Sequence, residues 1–456
     1  TFYEASFQPI SMEMETCKIF PASPKPQLSL PLAIFDVKWL TFSPTCRIFC
    51  YQSAGITSND FNGVILDKLK RSLSLTLNHF HILAGHVIWP SDSPRPFISC
   101  GPNDAVSLTV SQSPLPELFS TLVSNDAEAA VARGCVPELH STDSEAQLMA
   151  LKITLFPKLG FAIGVACHHG FLDGFSFSMF MKAWSFLCNH LSSSDTDVAP
   201  SLPPSLVPNL ERHKEDDAEG LYEKVLEWST VRNPRSVKLP PSPAFDRSLV
   251  RRRFMFTRKD ADNLRRTVTT QYPNEEGMHL SPLVLAYSLA IACQAKAKSM
   301  KNDVFVILPA DYRAKVGLPM SENYFGNCDF ALSSTLEAEA VKSEGGVAMV
   351  AKSVGEMVTK LKMMTVYDSL KTTCLSGKLG GPVHVIGLAG SPRFGLYRVD
   401  FGWGVPVMVC CTSIDGRDGM AVGDASEGDG AIQIDVAMEP HFMEEFATLF
   451  AHALNP

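Results

Sequence analysis

Phe161-Ala162-Ile163-Gly164-Val165-Ala166-Cys167-His168-His169-Gly170-Phe171-Leu172-Asp173-Gly174 is the stretch whose reading decides the fold. The apolar run 161–167 has the length and composition of a buried strand, and Pro157-Lys158-Leu159-Gly160 separates it from a second apolar run, 150–156, so the two read as a hairpin. Downstream, Met179, Phe180, Ala183, Trp184, Leu187 and Leu191 recur at the spacings of an amphipathic helix. Strand, turn and helix thus succeed one another, with His169 at the strand exit. Gly170 and Gly174 allow a close approach that a side chain would block. A histidine held there has a rigid ring with one edge free, and neutral imidazole is a base suited to neutral pH. Two other readings stay open on these residues alone. A histidine behind an apolar strand is often a satisfied core residue. A metal site would need a third ligand nearby, and His168 and His169 point to opposite sides in extended geometry, so no metal is expected.

Outward from this unit, both halves alternate strand-like and helix-like segments, the pattern of α/β or α+β architecture. Thr257 followed by Asp260 reads as a capped helix start, and Ser281-Pro282 as another, with an apolar helix to about Ala297. Runs 253–256, 304–308 and 405–412 read as strands. Between the halves, 191–246 is rich in Pro and Ser, broken by a helix-like interlude at 221–228, and reads as a long crossover. The expected organisation is therefore domain 1–190, crossover 191–246 and domain 247–456. Gly377, Gly380 and Gly381 form a glycine-rich turn that lacks the Gly-Lys-Ser/Thr ending of a phosphate loop.

The 456 residues imply about two to four domains, and 45% hydrophobic against 19% charged residues is globular composition. A net charge of -8 argues against nucleic acid or an anionic membrane as the main partner. The one dense basic run, Arg251-Arg252-Arg253, reads as a solvated strand edge in preference to a phosphate site. Twelve cysteines, without a Cys-x-x-Cys pair or clustering with histidines, fit free thiols in a reducing compartment. Residues 1–9 carry no signal-peptide pattern and no run approaches about 18 apolar residues, so no membrane span and a cytoplasmic location are expected.

Three motifs in order carry a resemblance. His169-x-x-x-Asp173-Gly174, then Asn323-Tyr324-Phe325-Gly326-Asn327-Cys328, then Asp400-Phe401-Gly402-Trp403-Gly404 resemble the plant BAHD acyltransferases, and the second motif is typical of the branch acting on anthocyanins and phenolic glucosides. The first motif is shared with chloramphenicol acetyltransferases and peptide-synthetase condensation domains; the three together are specific, and the similarity runs through nearly the whole chain. The resemblance implies two chloramphenicol-acetyltransferase-like α/β domains with the active-site channel at their interface. It implies His169 as general base, acyl-CoA as co-substrate with no permanently bound cofactor, and a small phenolic glycoside or alcohol as acceptor. Asp173 would hold the turn together. The 400–404 loop would lie away from the reaction centre, with Asp400 pairing with Arg313 and Gly402 and Gly404 turning the chain beneath Trp403. Ser281, at a helix N-terminus with free N–H groups, is a candidate contact for CoA. A monomer is expected.

The small residues of Gly387-Leu388-Ala389-Gly390-Ser391, and the segment Leu30-Pro31-Leu32-Ala33-Ile34-Phe35-Asp36, are similar to the glycoside-acylating branch. This implies transfer of malonyl, or alternatively a hydroxycinnamoyl group, to an acceptor hydroxyl. Departures bear on the donor: the branch commonly has a small or basic polar stretch where this chain has Phe175-Ser176-Phe177, which would make a more apolar acyl pocket. Phe171 is bulkier than the pattern, and Asp329 stands where an apolar residue is usual. A relative that binds without turnover is the competing non-enzymatic reading, which the intact His169 and Asp173 oppose.

Overall fold

The computed structural model describes residues 11–191, 200–212, 220–231, 233–240, 249–273, 278–313, 320–365, 368, 381–415, 419–426, 428 and 430–455. Much of the proline-rich crossover, and Gly377 and Gly380, lie outside the described residues.

In the first half, the strands are β1 (Met12–Ile19), β2 (Leu28–Pro31), β3 (Thr45–Gln52), β4 (His86–Ile88), β5 (Phe97–Cys100), β6 (Val106–Gln112), β7 (Asp126–Glu128), β8 (Glu145–Gln147), β9 (Met149–Phe156) and β10 (Gly160–Cys167). The second half supplies β11 (Val250–Phe256), β12 (Val304–Asp311), β13 (Asp329–Leu336), β14 (His384–Gly390), β15 (Met408–Cys411), β16 (Met420–Asp424) and β17 (Ile432–Met438). They form a six-stranded sheet, β1-β6-β9-β10-β3-β15, a seven-stranded sheet, β13-β12-β14-β16-β17-β11-β7, and a four-stranded sheet, β2-β5-β4-β8.

The hairpin read at 150–167 is present, with β9 and β10 paired from Gly160↔Phe156 to Cys167↔Met149. Every residue of β10 is buried. One face lies under the Gly174–His190 helix, where Phe49 and Phe177 stack, and the other packs on Phe119 and Phe156. A strand covered on both faces has no solvent side to mark, which is why it reads as an unbroken apolar run.

Each half lends a strand to the other's sheet. β15 pairs antiparallel with β3, and β7 with β11. This exchange places β11 between β17 and β7, inside the seven-stranded sheet, and overturns the expectation of a solvated strand edge at Arg251-Arg252-Arg253. Arg251 is 4% exposed and ion-paired with Asp415, Arg253 lies 3.6 Å from Asp435, and Arg252 reaches Asp126 and Glu444. The three charges were legible, but their carboxylate partners come from distant segments. Within the crossover, the Leu221–Ser229 helix forms as read, and Asn209 bonds to Asn323 (3.0 Å) and Phe325 (2.7 Å) through backbone groups, laying the chain along the 323–328 motif. No helix among the described residues is long and apolar enough to cross a membrane.

Candidate active site

Between the halves runs a channel of about 1500 Å³, lined by Trp39, Arg47, His169 and Phe177 from the first half and Ser281, Asp329, His384 and Ser391 from the second. The strand–turn–helix unit delivers His169 to its wall. The turn is tight: a Cβ on Gly170 would come within 2.9 Å of the His168 ring, and one on Gly174 within 2.4 Å of the Phe394 ring. The two adjacent histidines part company there. His168 is fully buried, accepts the Gly170 N–H on Nδ1 (3.0 Å), and burial followed by the neighbouring His169 pushes its pKa down to about 3. It is a neutral structural residue.

His169 stacks flat on Trp39, with ring centroids 4.1 Å apart and 10° between planes, and meets Phe42 edge-on at 5.5 Å. Burial lowers its pKa from the ordinary histidine value, opposed chiefly by the Asp329 charge and the residue's own carbonyl. Nδ1 is buried without a hydrogen bond of good geometry, whereas Nε2 is not sealed off and opens to the channel. The carbonyl beside Nδ1 favours the tautomer with the proton there and the lone pair on Nε2. Asn327 Nδ2 donates to that carbonyl (2.8 Å) and to Asp36 Oδ1 (3.0 Å), so the second motif grips the histidine backbone directly.

Asp173 caps the Gly174–His190 helix by accepting the Ser176 N–H (2.9 Å). It also receives both Arg313 guanidinium nitrogens (2.7 and 3.1 Å) and the Cys328 N–H (3.0 Å). Burial pushes its carboxyl up, but Arg313 and the two amides outweigh that and hold it below the usual carboxylate range. Ser176 exchanges hydrogen bonds with both backbone groups of Gly326, and Arg313 donates to Ser176 Oγ and the Gly326 carbonyl. Tyr324 accepts from Arg212 (2.6 Å), and Phe325 sits edge-on to Phe80 and Phe171. Bulky Phe171 is thus core, packed on the second motif.

The expected Asp400–Arg313 pair is not formed. Arg313 is committed to Asp173 and Asp311, while Asp400 Oδ1 accepts the N–H groups of Gly402 (2.7 Å) and Gly404 (3.0 Å). A short carboxylate side chain reaches amides two and four residues on, and Gly402 and Gly404 supply the positive φ angles (103° and 93°) that turn them back. Phe401 is buried against Tyr51 and Trp184, and Trp403 meets Phe161 and Lys68. Residues 400–404 do not line the channel. Ser281 does, and its Oγ caps the Pro282–Ala297 helix by accepting the Val284 N–H (3.3 Å).

Sequence reasoning missed Trp39, Asp36, Arg212 and the use of Asp329. Asp329 Oδ1 accepts the Trp39 Nε1–H (3.2 Å), and its Oδ2 lies 3.6 Å from Lys38, so this unusual residue fixes the ring on which His169 stacks. Asp36, fully buried, gathers the Ala33 N–H, Asn327 and Arg212. The odd residue at 329 was the available signal; its partners lie some 290 positions away. Among the described residues no group of three His, Cys, Asp or Glu side chains is placed to hold a metal ion.

Two α/β halves of the chloramphenicol-acetyltransferase type, meeting at a channel with a neutral histidine on its wall, have the architecture of an acyltransferase. The chain belongs to the Transferase family, the BAHD acyltransferases, whose family model matches residues 12–453. It is 32% identical to malonyl-CoA:anthocyanidin 5-O-glucoside-6''-O-malonyltransferase of Arabidopsis thaliana, over 97% of this chain and 98% of that one. It is 32% identical to phenolic glucoside malonyltransferase 1 of the same plant, over 94% of each. Its fold is similar to that of the crystal structure of vinorine synthase, with a TM-score of 0.68 at 20% identity, covering 95% of this chain and 96% of that one. Acyl-CoA is the co-substrate of the reaction.

Proposed function

We propose that this acyltransferase moves a malonyl group from malonyl-CoA to a sugar hydroxyl of a phenolic or flavonoid glycoside, with His169 as general base and no acyl-enzyme. One observation carries the mechanism: His169 Nε2 opens to the channel on a ring clamped by Trp39 and held neutral by burial. The acceptor hydroxyl gives its proton to Nε2 as its oxygen attacks the thioester carbonyl. The C–S bond of the tetrahedral intermediate then breaks, and the departing CoA thiolate takes the proton back. Asp173, its oxygens taken up by Arg313 and two backbone N–H groups, holds the turn and takes no part in proton transfer.

The names of the relatives and the small residues at 387–391 support the glycoside acceptor. Phe175 and Phe177, which argue for an aromatic acyl group on composition, each carry a guanidinium over the ring, Arg313 at 4.4 Å and Arg47 at 5.4 Å. That wall is therefore not bare apolar surface, and a dicarboxylic acyl group suits it. The N-terminus of the Pro282–Ala297 helix, with Ser281, is the proposed CoA contact, and the enzyme is proposed to act as a cytoplasmic monomer.

Malonyl-, acetyl- and coumaroyl-CoA against a panel of phenolic glucosides, with products read by mass spectrometry, tests donor and acceptor together. His169→Ala should lose nearly all transfer, by at least ~100-fold, with its melting temperature close to wild type. Near-normal turnover in that variant removes His169 from the role.

A further inference from the structure

We infer that Arg47 is a carboxylate-binding residue of the channel, engaging the free carboxylate of a dicarboxylic acyl donor. Arg47 lies in β3 opposite Val165, on the strand that leads into the His168–His169 turn, and lines the same channel as His169. Only 9% of its surface is exposed. A guanidinium so far removed from water is ordinarily paired with a carboxylate. The other buried arginines follow that rule: Arg313 has Asp173, Arg251 has Asp415, Arg212 has Asp36 and Arg253 has Asp435. Among the described residues the Arg47 guanidinium has neither an ion-pair partner nor a hydrogen bond; its one ring contact is Phe177 at 5.4 Å. Phe177 is itself fixed by stacking on Phe49, so the planar cation is backed and its donors are left for the channel.

An always-charged, planar fork on an otherwise buried wall matches a carboxylate in two parallel hydrogen bonds. The malonyl-donor reading above makes that carboxylate the distal one of the acyl group; a carboxylate on the acceptor has the same chemistry. Arg47 would then set which acyl group is accepted, and His169 how it is transferred.

The test compares wild type with Arg47→Met and Arg47→Lys in two arms. The first sets malonyl-CoA against acetyl-CoA with one neutral phenolic glucoside. The second uses acetyl-CoA with that glucoside and with the matching glucuronide, which carries the carboxylate on the acceptor. In Arg47→Met the malonyl-to-acetyl ratio of kcat/KM should fall by ~10–100-fold, mainly through KM, with part restored in Arg47→Lys. A selective fall in the glucuronide arm instead keeps the carboxylate site and assigns it to the acceptor. Equal losses with every substrate, or ratios within about twofold of wild type in both arms, overturn the inference. A wild-type enzyme that ignores malonyl-CoA defeats the donor reading, and the glucuronide arm then decides Arg47 separately.

Discussion

His169 is tuned from three directions: the surrounding burial lowers its pKa, the Asp329 charge opposes that, and Trp39 fixes its plane. A base with a lowered pKa is already neutral below the ordinary histidine value of about 6.5, so the acid limb of kcat/KM against pH should lie below that value. Asp329→Asn removes the largest opposing charge while keeping an acceptor for the Trp39 indole. Imidazolium then loses support, and the limb should move to still lower pH; a limb that stays in place or moves up contradicts the assignment. Asp329 acts here as a positioning residue, through Trp39 and through its charge.

At the scale of elements, one knot of hydrogen bonds ties the helix after the turn to the 324–328 segment. Asp173, Ser176, Arg313 and Gly326 satisfy one another at a largely buried edge of the channel, with the Asp173 and Arg313 side chains each 6% exposed. Removing the charge from one side of such a pair strands the other, at a cost of about 3–5 kcal/mol. Asp173→Asn should therefore show a large drop in urea midpoint alongside lost activity, and unchanged stability would leave Asp173 without its scaffold role. The 400–404 loop is a milder case. Asp400→Ala deletes two carboxylate–amide bonds in a half-exposed turn, and should cost about 1–3 kcal/mol by the same measurement. Because Asp400 does not touch Arg313, the double variant Asp400→Ala/Arg313→Met should lose stability additively; a coupling above about 0.5 kcal/mol would show a contact between them.

For the whole molecule, the strand exchange matters most. Without β15 the six-stranded sheet ends in β3 with an open backbone edge, and without β7 the seven-stranded sheet ends in β11. Unpaired edges of this kind aggregate. Residues 1–190 and 191–456 expressed separately should each be insoluble, and co-expression should restore soluble, active protein. Two halves that are soluble and monomeric alone would show that the exchanged strands add little. The exchange also explains how the channel keeps its shape: β3, which carries Arg47, is hydrogen-bonded on one side to β10 and on the other to a strand from the opposite half.

The sequence by itself determined the local units. The 161–167 strand, its hairpin, the turn glycines, the Thr257 and Ser281 caps and the amphipathic helix all follow from periodicities and caps within a few residues, where backbone geometry is set by neighbours. It also determined that the two histidines part, because consecutive residues leave an extended strand on opposite sides; which of them faces the channel was implied by the motif resemblance and not by the alternation. Only the tertiary structure decided the pairings. Arg313 could have been matched to Asp400 or Asp173 on charge alone, and distance chose Asp173. The strand exchange, the place of the Arg251–Arg253 strand inside a sheet, the Trp39 plate under His169 and the position of Arg47 on the channel wall depend on contacts between residues far apart in the chain. Charge and hydrophobicity say that such groups need partners, but not which segment the folded chain will bring to them.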